Sequence, residues 1–123
     1  MNNKINFYFR QLEAGEISEE FSRGQQYAYR AWRNTKEHQA DIFEATELPW
    51  GSDLEEGAMV DFVSTLRDAG VKTFAVTDHS TALMAELHAI FETGCTLIGP
   101  CTVKLNSSGW WDKEHIGLEF KIN

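Results

Sequence analysis

The sequence predicts a small α/β sandwich, in which helices cover a three- or four-stranded mixed sheet with a C-terminal antiparallel hairpin. Three observations support this prediction. Apolar residues recur at helical spacing in several segments, short apolar runs of strand character separate these segments, and residues 116–122 alternate between apolar and polar side chains. The chain has 123 residues, of which 42% are hydrophobic, and this suits a single domain over residues 1–123 with one core.

Two helices are predicted near the N-terminus. Residues 5–14 are rich in apolar side chains and are followed by Gly15, which suits a short helix. The segment 18–37 repeats apolar residues at helical spacing. Ser18 precedes two glutamates, and a hydroxyl followed by acidic residues is typical of a helix N-terminus. We therefore expect helices over both segments.

The central part of the chain predicts a strand, a helix and a second strand. Residues 40–46 alternate loosely and suit a short strand. Ser52 and Glu55 have the spacing of a capping box, which predicts the start of a helix over 53–69. The apolar run 72–77 is rich in β-branched and aromatic residues and indicates a strand. A helix between two strands favours a parallel pair with a right-handed crossover.

The C-terminal part predicts one more helix and then the hairpin. Asp78 or Ser80 suits the cap of a helix that continues to about residue 93. Residues 95–105 indicate a strand, and Gly99-Pro100 within it implies a bulge or an edge position. The last strand should bury one face and expose the other. Its predicted core residues are Ile116, Leu118, Phe120 and Ile122.

The net charge of −8 is confined to one stretch of the chain. Residues 37–66 contain eight acidic residues and no Lys or Arg, while the rest of the chain carries 11 acidic and 11 basic residues. Such a block repels DNA and anionic membranes and attracts a basic partner. A solvated face that only keeps the domain soluble is the alternative. The spacing lacks the D-x-D-x-D-G pattern of a calcium loop.

We expect a partner to bind the acidic stretch and a pair of adjacent tryptophans. Neighbouring residues on a strand point to opposite faces, so Trp110 and Trp111 are not both buried in one core unless a helix covers one of them. Exposed tryptophan is enriched at interface hot spots. The predicted partner-binding residues are Glu44, Glu47, Asp53, Glu56, Asp61, Trp110 and Trp111.

The turn between strand 72–77 and the following helix predicts an alternative function, a small-molecule or anion-binding module. Ligands favour the carboxyl ends of strands and the free N–H groups of helix N-termini. The candidate ligand-binding residues are Thr77, Asp78, Ser80 and Thr81. Asp78 already places a carboxylate in this turn, and ordinary helix capping accounts for the same residue types.

No catalytic residue, metal site or cofactor is predicted. The four histidines lack the spacing of zinc ligands, and the chain has no G-x-S-x-G nucleophile elbow. Cys95 and Cys101 suit reduced, mostly buried thiols. No apolar run approaches the roughly 20 residues of a membrane span, and the start lacks the apolar region of a signal peptide. We therefore expect a cytoplasmic, non-enzymatic protein that binds neither nucleic acid nor a membrane directly.

Two segments, 62–74 (FVSTLRDAGVKTF) and 77–84 (TDHSTALM), together with Gly94-Cys95 and the closing 120–122, are similar to a known family. They resemble short uncharacterised proteins carried on bacterial mobile elements. The resemblance implies an accessory protein that binds and blocks host machinery, and it assigns no residue a role. With the acidic stretch, it leads us to expect an inhibitor of a nucleic-acid-handling or defence enzyme, of the anti-CRISPR or anti-restriction type.

Overall fold

The computed structural model describes residues 2–15, 21–106 and 113–123. In chain order, the elements within these ranges are α1 (Asn3–Ala14), α2 (Arg23–Glu37), β1 (Glu44–Ala45), α3 (Gly51–Glu55), α4 (Ala58–Ala69), β2 (Thr73–Val76), α5 (Leu83–Glu92), β3 (Thr96–Lys104) and β4 (Glu114–Lys121). None of these described helices has both the length and the apolar character needed to cross a membrane.

The four strands form one mixed sheet in the order β1-β2-β4-β3. Strands β1 and β2 are parallel, as expected for two strands joined through helices, while β4 pairs antiparallel with both β2 and β3. The predicted α/β class, the mixed four-stranded sheet and the C-terminal hairpin are confirmed. The predicted bulge is also present, since the register of β3 against β4 shifts between Leu97 and Gly99.

Aromatic side chains fix the helices onto one face of the sheet. Phe74 of β2 and Phe120 of β4 are cross-strand partners whose ring centroids lie 5.9 Å apart. Phe62 of α4 packs edge-on against Phe74 at 6.0 Å, and Phe91 of α5 packs edge-on against Phe120 at 5.4 Å. The central strands β2 and β4 therefore carry α4 and α5 on the same face.

The prediction that the whole apolar face of β4 is buried is wrong at one residue. Phe120 and Ile122 are buried and Leu118 is half-buried, but Ile116 is 69% exposed. The reason is the length of β2, whose pairing with β4 ends at the Val76–Leu118 pair. Beyond that pair, β4 is paired only with β3 among the described strands, so Ile116 lies on a two-stranded end of the sheet.

Two predicted helix starts are also wrong. Ser22 caps α2 through a capping box with Gln25, and the predicted cap Ser18 lies outside the described residues. The expected helix over 53–69 is divided into α3 and α4, because Gly57 adopts a left-handed backbone conformation with φ of 85°. The N-cap of α3 is Trp50, and the Ser52–Glu55 capping box does not form.

A glycine determines how closely α2 approaches α4. Gly24 is buried, and a Cβ atom on it would lie 2.5 Å from the Ala58 carbonyl oxygen and 2.5 Å from the Phe62 nitrogen. Gly24→Ala should therefore lower the free energy of unfolding by about 1–3 kcal/mol through overpacking. This should happen although alanine favours a helix over glycine by roughly 1 kcal/mol. Urea denaturation measures the change.

The control for this prediction is Gly15→Ala. Gly15 follows α1 with a φ of −74°, and an added Cβ would meet its nearest neighbour, the Gln11 carbonyl oxygen, at 3.4 Å. We expect this variant to be as stable as the parent. Equal stability of the Gly24 and Gly15 variants would show that α2 and α4 do not pack at this distance.

Candidate functional site

Arginines of α2 partly neutralise the acidic stretch, although they lie outside it in the sequence. Three pairs form, with N–O distances of 3.8 Å for Arg23 and Asp53, 3.6 Å for Arg30 and Glu47, and 3.5 Å for Arg33 and Glu37. Each pair is at least partly exposed, so its effect on stability is small. Among the described residues, the acids of the stretch that have no ion pair are Asp41, Glu55, Glu56 and Asp61.

The Asp53 side chain connects α3 to α2 through a hydrogen bond and an ion pair. The buried Tyr27 donates its hydroxyl hydrogen to Asp53 Oδ2 at 3.0 Å. Burial, and next the hydrogen bond to Asp53, raise the pKa of Tyr27 to about 12. The Asp53 side chain is only 24% exposed. This predicted partner-binding residue therefore already has two partners within the chain.

The prediction that Glu44 belongs to an exposed acidic surface is wrong. Glu44 is 1% exposed, and its two carboxylate oxygens lie 2.8 and 2.9 Å from Nδ1 of His115. The Thr35 hydroxyl also donates to the Glu44 carbonyl oxygen and accepts from the Glu44 N–H. Glu44 is on β1 within the sheet, where a carboxylate is retained only with a close partner. That partner is 71 residues away in the sequence.

Three further acids of the stretch and a tryptophan are exposed on or next to α3 and α4, whereas Asp41 is exposed before β1 and accepts a hydrogen bond from the Lys104 N–H. Glu55, Glu56 and Asp61 are exposed and have no ion pair among the described residues. Trp50, which directly precedes α3, is 57% exposed. Glu47 is exposed as well, although it pairs with Arg30. The predicted contacts Trp110 and Trp111 lie outside the described residues.

A cavity of about 310 Å³ lies at the carboxyl ends of the parallel strands β1 and β2. The polar and aromatic residues that line it include Glu47, Trp50, Asp78, Ser80, Thr81 and Glu86. Open α/β sheets favour ligands at this edge. The structure therefore brings three of the four predicted ligand residues of the 77–81 turn to one cavity.

The fourth predicted ligand residue, Thr77, does not line this cavity. It is buried, its N–H donates to the Ala45 carbonyl oxygen, and its hydroxyl has no partner among the described residues. The prediction is therefore wrong in placing the Thr77 hydroxyl at the ligand. Its backbone N–H is instead committed to β1, which lies beside the last residues of β2.

The donors of the 77–81 turn are largely used by the turn itself. Asp78 accepts hydrogen bonds from the Ser80 N–H at 2.9 Å and from the Ser80 hydroxyl at 2.7 Å. The Ser80 Oγ in turn accepts from the Ala82 N–H at 3.3 Å. Neither Asp78 nor Ser80 is the N-cap of α5, which is Ala82 without a side-chain cap. The turn is thus held by a carboxylate, which opposes an anionic ligand.

Glu86 completes the cavity from the first turn of α5. It is 1% exposed, and no described donor reaches its Oε2. Burial, then the hydrogen bond and the negative charge of Asp78, raise the pKa of Glu86 to about 8. Burial also raises the pKa of Asp78, but its hydrogen bonds to Glu86 and Ser80 outweigh this effect and lower the pKa. At neutral pH Glu86 is therefore protonated and donates to the Asp78 carboxylate.

Sequence reasoning missed Glu86, although a signal was present. Glu86 lies three residues after Leu83 and four before the buried Ile90, which places it on the apolar stripe of α5. A charged residue on such a stripe is unusual, since carboxylates are almost never fully buried without a partner. The stripe and Asp78 together indicate a buried carboxyl pair.

The described residues contain no cluster of three or more His, Cys, Asp or Glu side chains that suits a metal ion. The comparisons with known proteins give one match. A family profile described as a domain of unknown function, DUF7698, matches residues 27–121. No curated protein and no solved structure matches the chain.

Proposed function

Since the chain belongs to the DUF7698 family, a domain of unknown function, we propose a function from its site alone: a non-enzymatic interaction protein that binds a basic partner protein. The contact is the acidic surface, which we define as Glu47, Trp50, Glu55, Glu56 and Asp61. The observation that supports the proposal is an exposed tryptophan at the start of α3, Trp50, followed along α3 and α4 by exposed carboxylates that have no ion pair among the described residues.

The acidic surface combines the two ingredients of a charged protein interface. An exposed tryptophan supplies the large apolar contact that dominates binding energy at hot spots. The surrounding carboxylates accelerate encounter with a positively charged surface and disfavour polyanions. Glu44 and Asp53 are not part of the proposed partner contact, because the side chain of each already has a hydrogen-bond partner within the chain.

The partner that best fits this surface is an enzyme that handles nucleic acid. Its groove already binds spaced negative charge, and an acidic surface of this kind competes for it. The proposal extends to a defence enzyme of a host cell and to a cytosolic setting, in line with the resemblance to mobile-element proteins. That extension rests on the resemblance and on the sign of the charge.

The test is a charge reversal that spares the fold. A variant with Glu55→Lys, Glu56→Lys and Asp61→Lys should lose the partner that the parent recovers from host lysate, because all three side chains are exposed. Trp50→Ala should lose it as well. The parent complex should associate more slowly as salt rises, since the Debye length is about 8 Å at physiological ionic strength.

The matched control carries the same charge change elsewhere. Asp68, Glu92 and Glu114 are also exposed and lie outside the acidic surface. Their reversal to lysine should leave recovery of the partner unchanged. If the two triple variants recover the same proteins as the parent, the acidic surface only solvates the domain.

A second candidate function is a small-molecule module at the 77–81 turn, favoured by the 310 Å³ cavity at the strand ends. Glu47, Asp78 and Glu86 all line this cavity, so its ligand is neutral or cationic rather than anionic. A thermal-shift screen of metabolites tests it, because a ligand that binds the folded state raises the melting temperature in proportion to its occupancy.

A further inference from the structure

We propose that the cavity above Asp78 and Glu86 binds one cationic group, an alkylammonium or a guanidinium. The cavity shares Glu47 and Trp50 with the acidic surface. The inference rests on the geometry of the cavity, and it holds whether the cation is a free small molecule or a side chain of a protein.

The cavity has the volume and the lining residues for such a group. Its volume of about 310 Å³ equals that of roughly ten liquid water molecules at about 30 Å³ each, which accommodates a small organic cation. Trp50 is exposed at this cavity, and the face of an indole ring attracts a cation. The hydroxyls of Ser80 and Thr81 add neutral acceptors.

The buried oxygen of Glu86 points to a donor-bearing ligand. Glu86 is 1% exposed and lines the cavity, yet no described N–H or O–H group donates to its Oε2. Buried polar atoms in native proteins nearly always have a hydrogen-bond partner. A bound ammonium or guanidinium supplies several N–H donors, and a guanidinium spans two carboxyl groups at once.

The charged side chains that line the cavity are all acidic among the described residues. Glu47 enters from the loop after β1 and Asp78 from the turn after β2, and no Lys, Arg or His is among the described residues that line the cavity. Arg30 of α2 pairs with Glu47 at 3.6 Å. His79 is exposed and lines a neighbouring groove, while the buried residues of α4, which packs on α5, are uncharged.

The other titratable groups of α5 lie on its solvent side. His88 and Glu92 pair with each other at 2.7 Å, and their side chains are 77% and 68% exposed. Neither side chain therefore pairs with Asp78 or Glu86.

Binding and proton release are linked by charge. In the free protein Glu86 is protonated at neutral pH and the pair carries one negative charge. A cation beside the pair favours the ionised form of Glu86, so one proton leaves to solvent for each cation bound. Below the pKa of free Glu86, the association constant should therefore rise tenfold for each pH unit.

The experiment uses methylguanidinium chloride with the full chain between pH 6 and 9.5. A guanidinium group stays charged over this range, so only the protein titrates. We expect the association constant, measured by NMR titration, to rise about tenfold per pH unit up to about pH 8 and then level off. Calorimetry in buffers of different ionisation enthalpy should report one proton released per ligand at pH 7.

Two variants test the roles of the two carboxyl groups, and a neutral ligand tests the role of the ligand's charge. Glu86→Gln should bind methylguanidinium with an affinity that does not depend on pH, and Asp78→Asn should bind it at least tenfold more weakly than the parent at pH 8. Methylurea, which has a similar shape and no charge, should not bind. An arginine-containing tripeptide that binds more tightly than methylguanidinium identifies a protein side chain as the source, and weaker binding identifies a free cation.

Two results would overturn the proposal: equal responses to methylguanidinium and methylurea, or an Asp78→Asn variant that binds methylguanidinium as tightly as the parent does. The Glu55, Glu56 and Asp61 charge-reversal variant should keep the tenfold dependence per pH unit. Its behaviour distinguishes a failure of the cation site from a failure of the proposed protein partner, because none of those three residues lines the cavity.

Discussion

Replacing Glu86 with glutamine should make the protein more stable in alkaline solution and leave its stability near pH 4.5 almost unchanged. The pKa of Glu86 is raised from 4.5 to about 8, mainly by burial. Between these values the folded state holds a proton that the unfolded state releases. The free energy of unfolding of the parent therefore falls as pH rises from about 4.5 to about 8, and this loss is complete above pH 8.

Glutamine keeps an N–H donor for Asp78 and has nothing to titrate. The stability difference between Glu86→Gln and the parent should therefore grow with pH. A shift from 4.5 to about 8 corresponds to at most about 5 kcal/mol at 1.36 kcal/mol per pKa unit. Urea denaturation at pH 5, 7 and 9 measures the difference.

Glu92→Gln is the matched control for this measurement. It lies on the same helix, but its side chain is 68% exposed. Its stability relative to the parent should change little over the same pH range, since exposed ion pairs contribute little. A Glu86→Gln protein no more stable than the parent at pH 9 would mean that Glu86 ionises without cost, and the carboxyl pair would then hold no shared proton.

The local elements of this fold are readable from the sequence, but the order of the strands is not. Alternation in 116–122 and helical spacing in the 53–69 segment each depend on neighbouring residues, and both predict the right element type. The position of β4 between β2 and β3 depends instead on contacts between distant segments. The exposure of Ile116 follows from that order, because the shorter β2 stops at the Val76–Leu118 pair.

The candidate site was predictable from the sequence to the same extent, because its local features can be read from neighbouring residues and its contacts between distant segments cannot. The 77–81 turn was predicted because a strand end and helix-capping residues lie next to each other in the chain. Counting charge along the chain correctly located the acidic stretch, yet it missed the arginines of α2 that pack against it. It also missed the burial of Glu44, whose partner His115 comes from the last strand.

The second large effect on the free energy of unfolding is expected for one of two β4 residues that occupy the same face of the strand. Phe120 and Ile116 lie four residues apart on the same face of the strand, so local sequence pattern treats them alike. Phe120 is fully buried between Phe74 and Phe91, whose ring centroids are 5.9 and 5.4 Å away, whereas Ile116 is 69% exposed. Truncating each residue to alanine therefore tests whether its contribution to stability depends on burial in the core or only on its place in the alternating pattern.

Phe120→Ala should lower the free energy of unfolding by about 3–5 kcal/mol, because it leaves a cavity where β2, β4 and α5 meet. Ile116→Ala should change it by no more than about 0.5 kcal/mol, the usual range for an exposed position. Urea denaturation of both variants under one condition decides the matter. A loss at Ile116 as large as the loss at Phe120 would require that end of the hairpin to be covered in solution. A small loss at Phe120 would contradict the pairing of β2 with β4, since that pairing is what places Phe120 on Phe74.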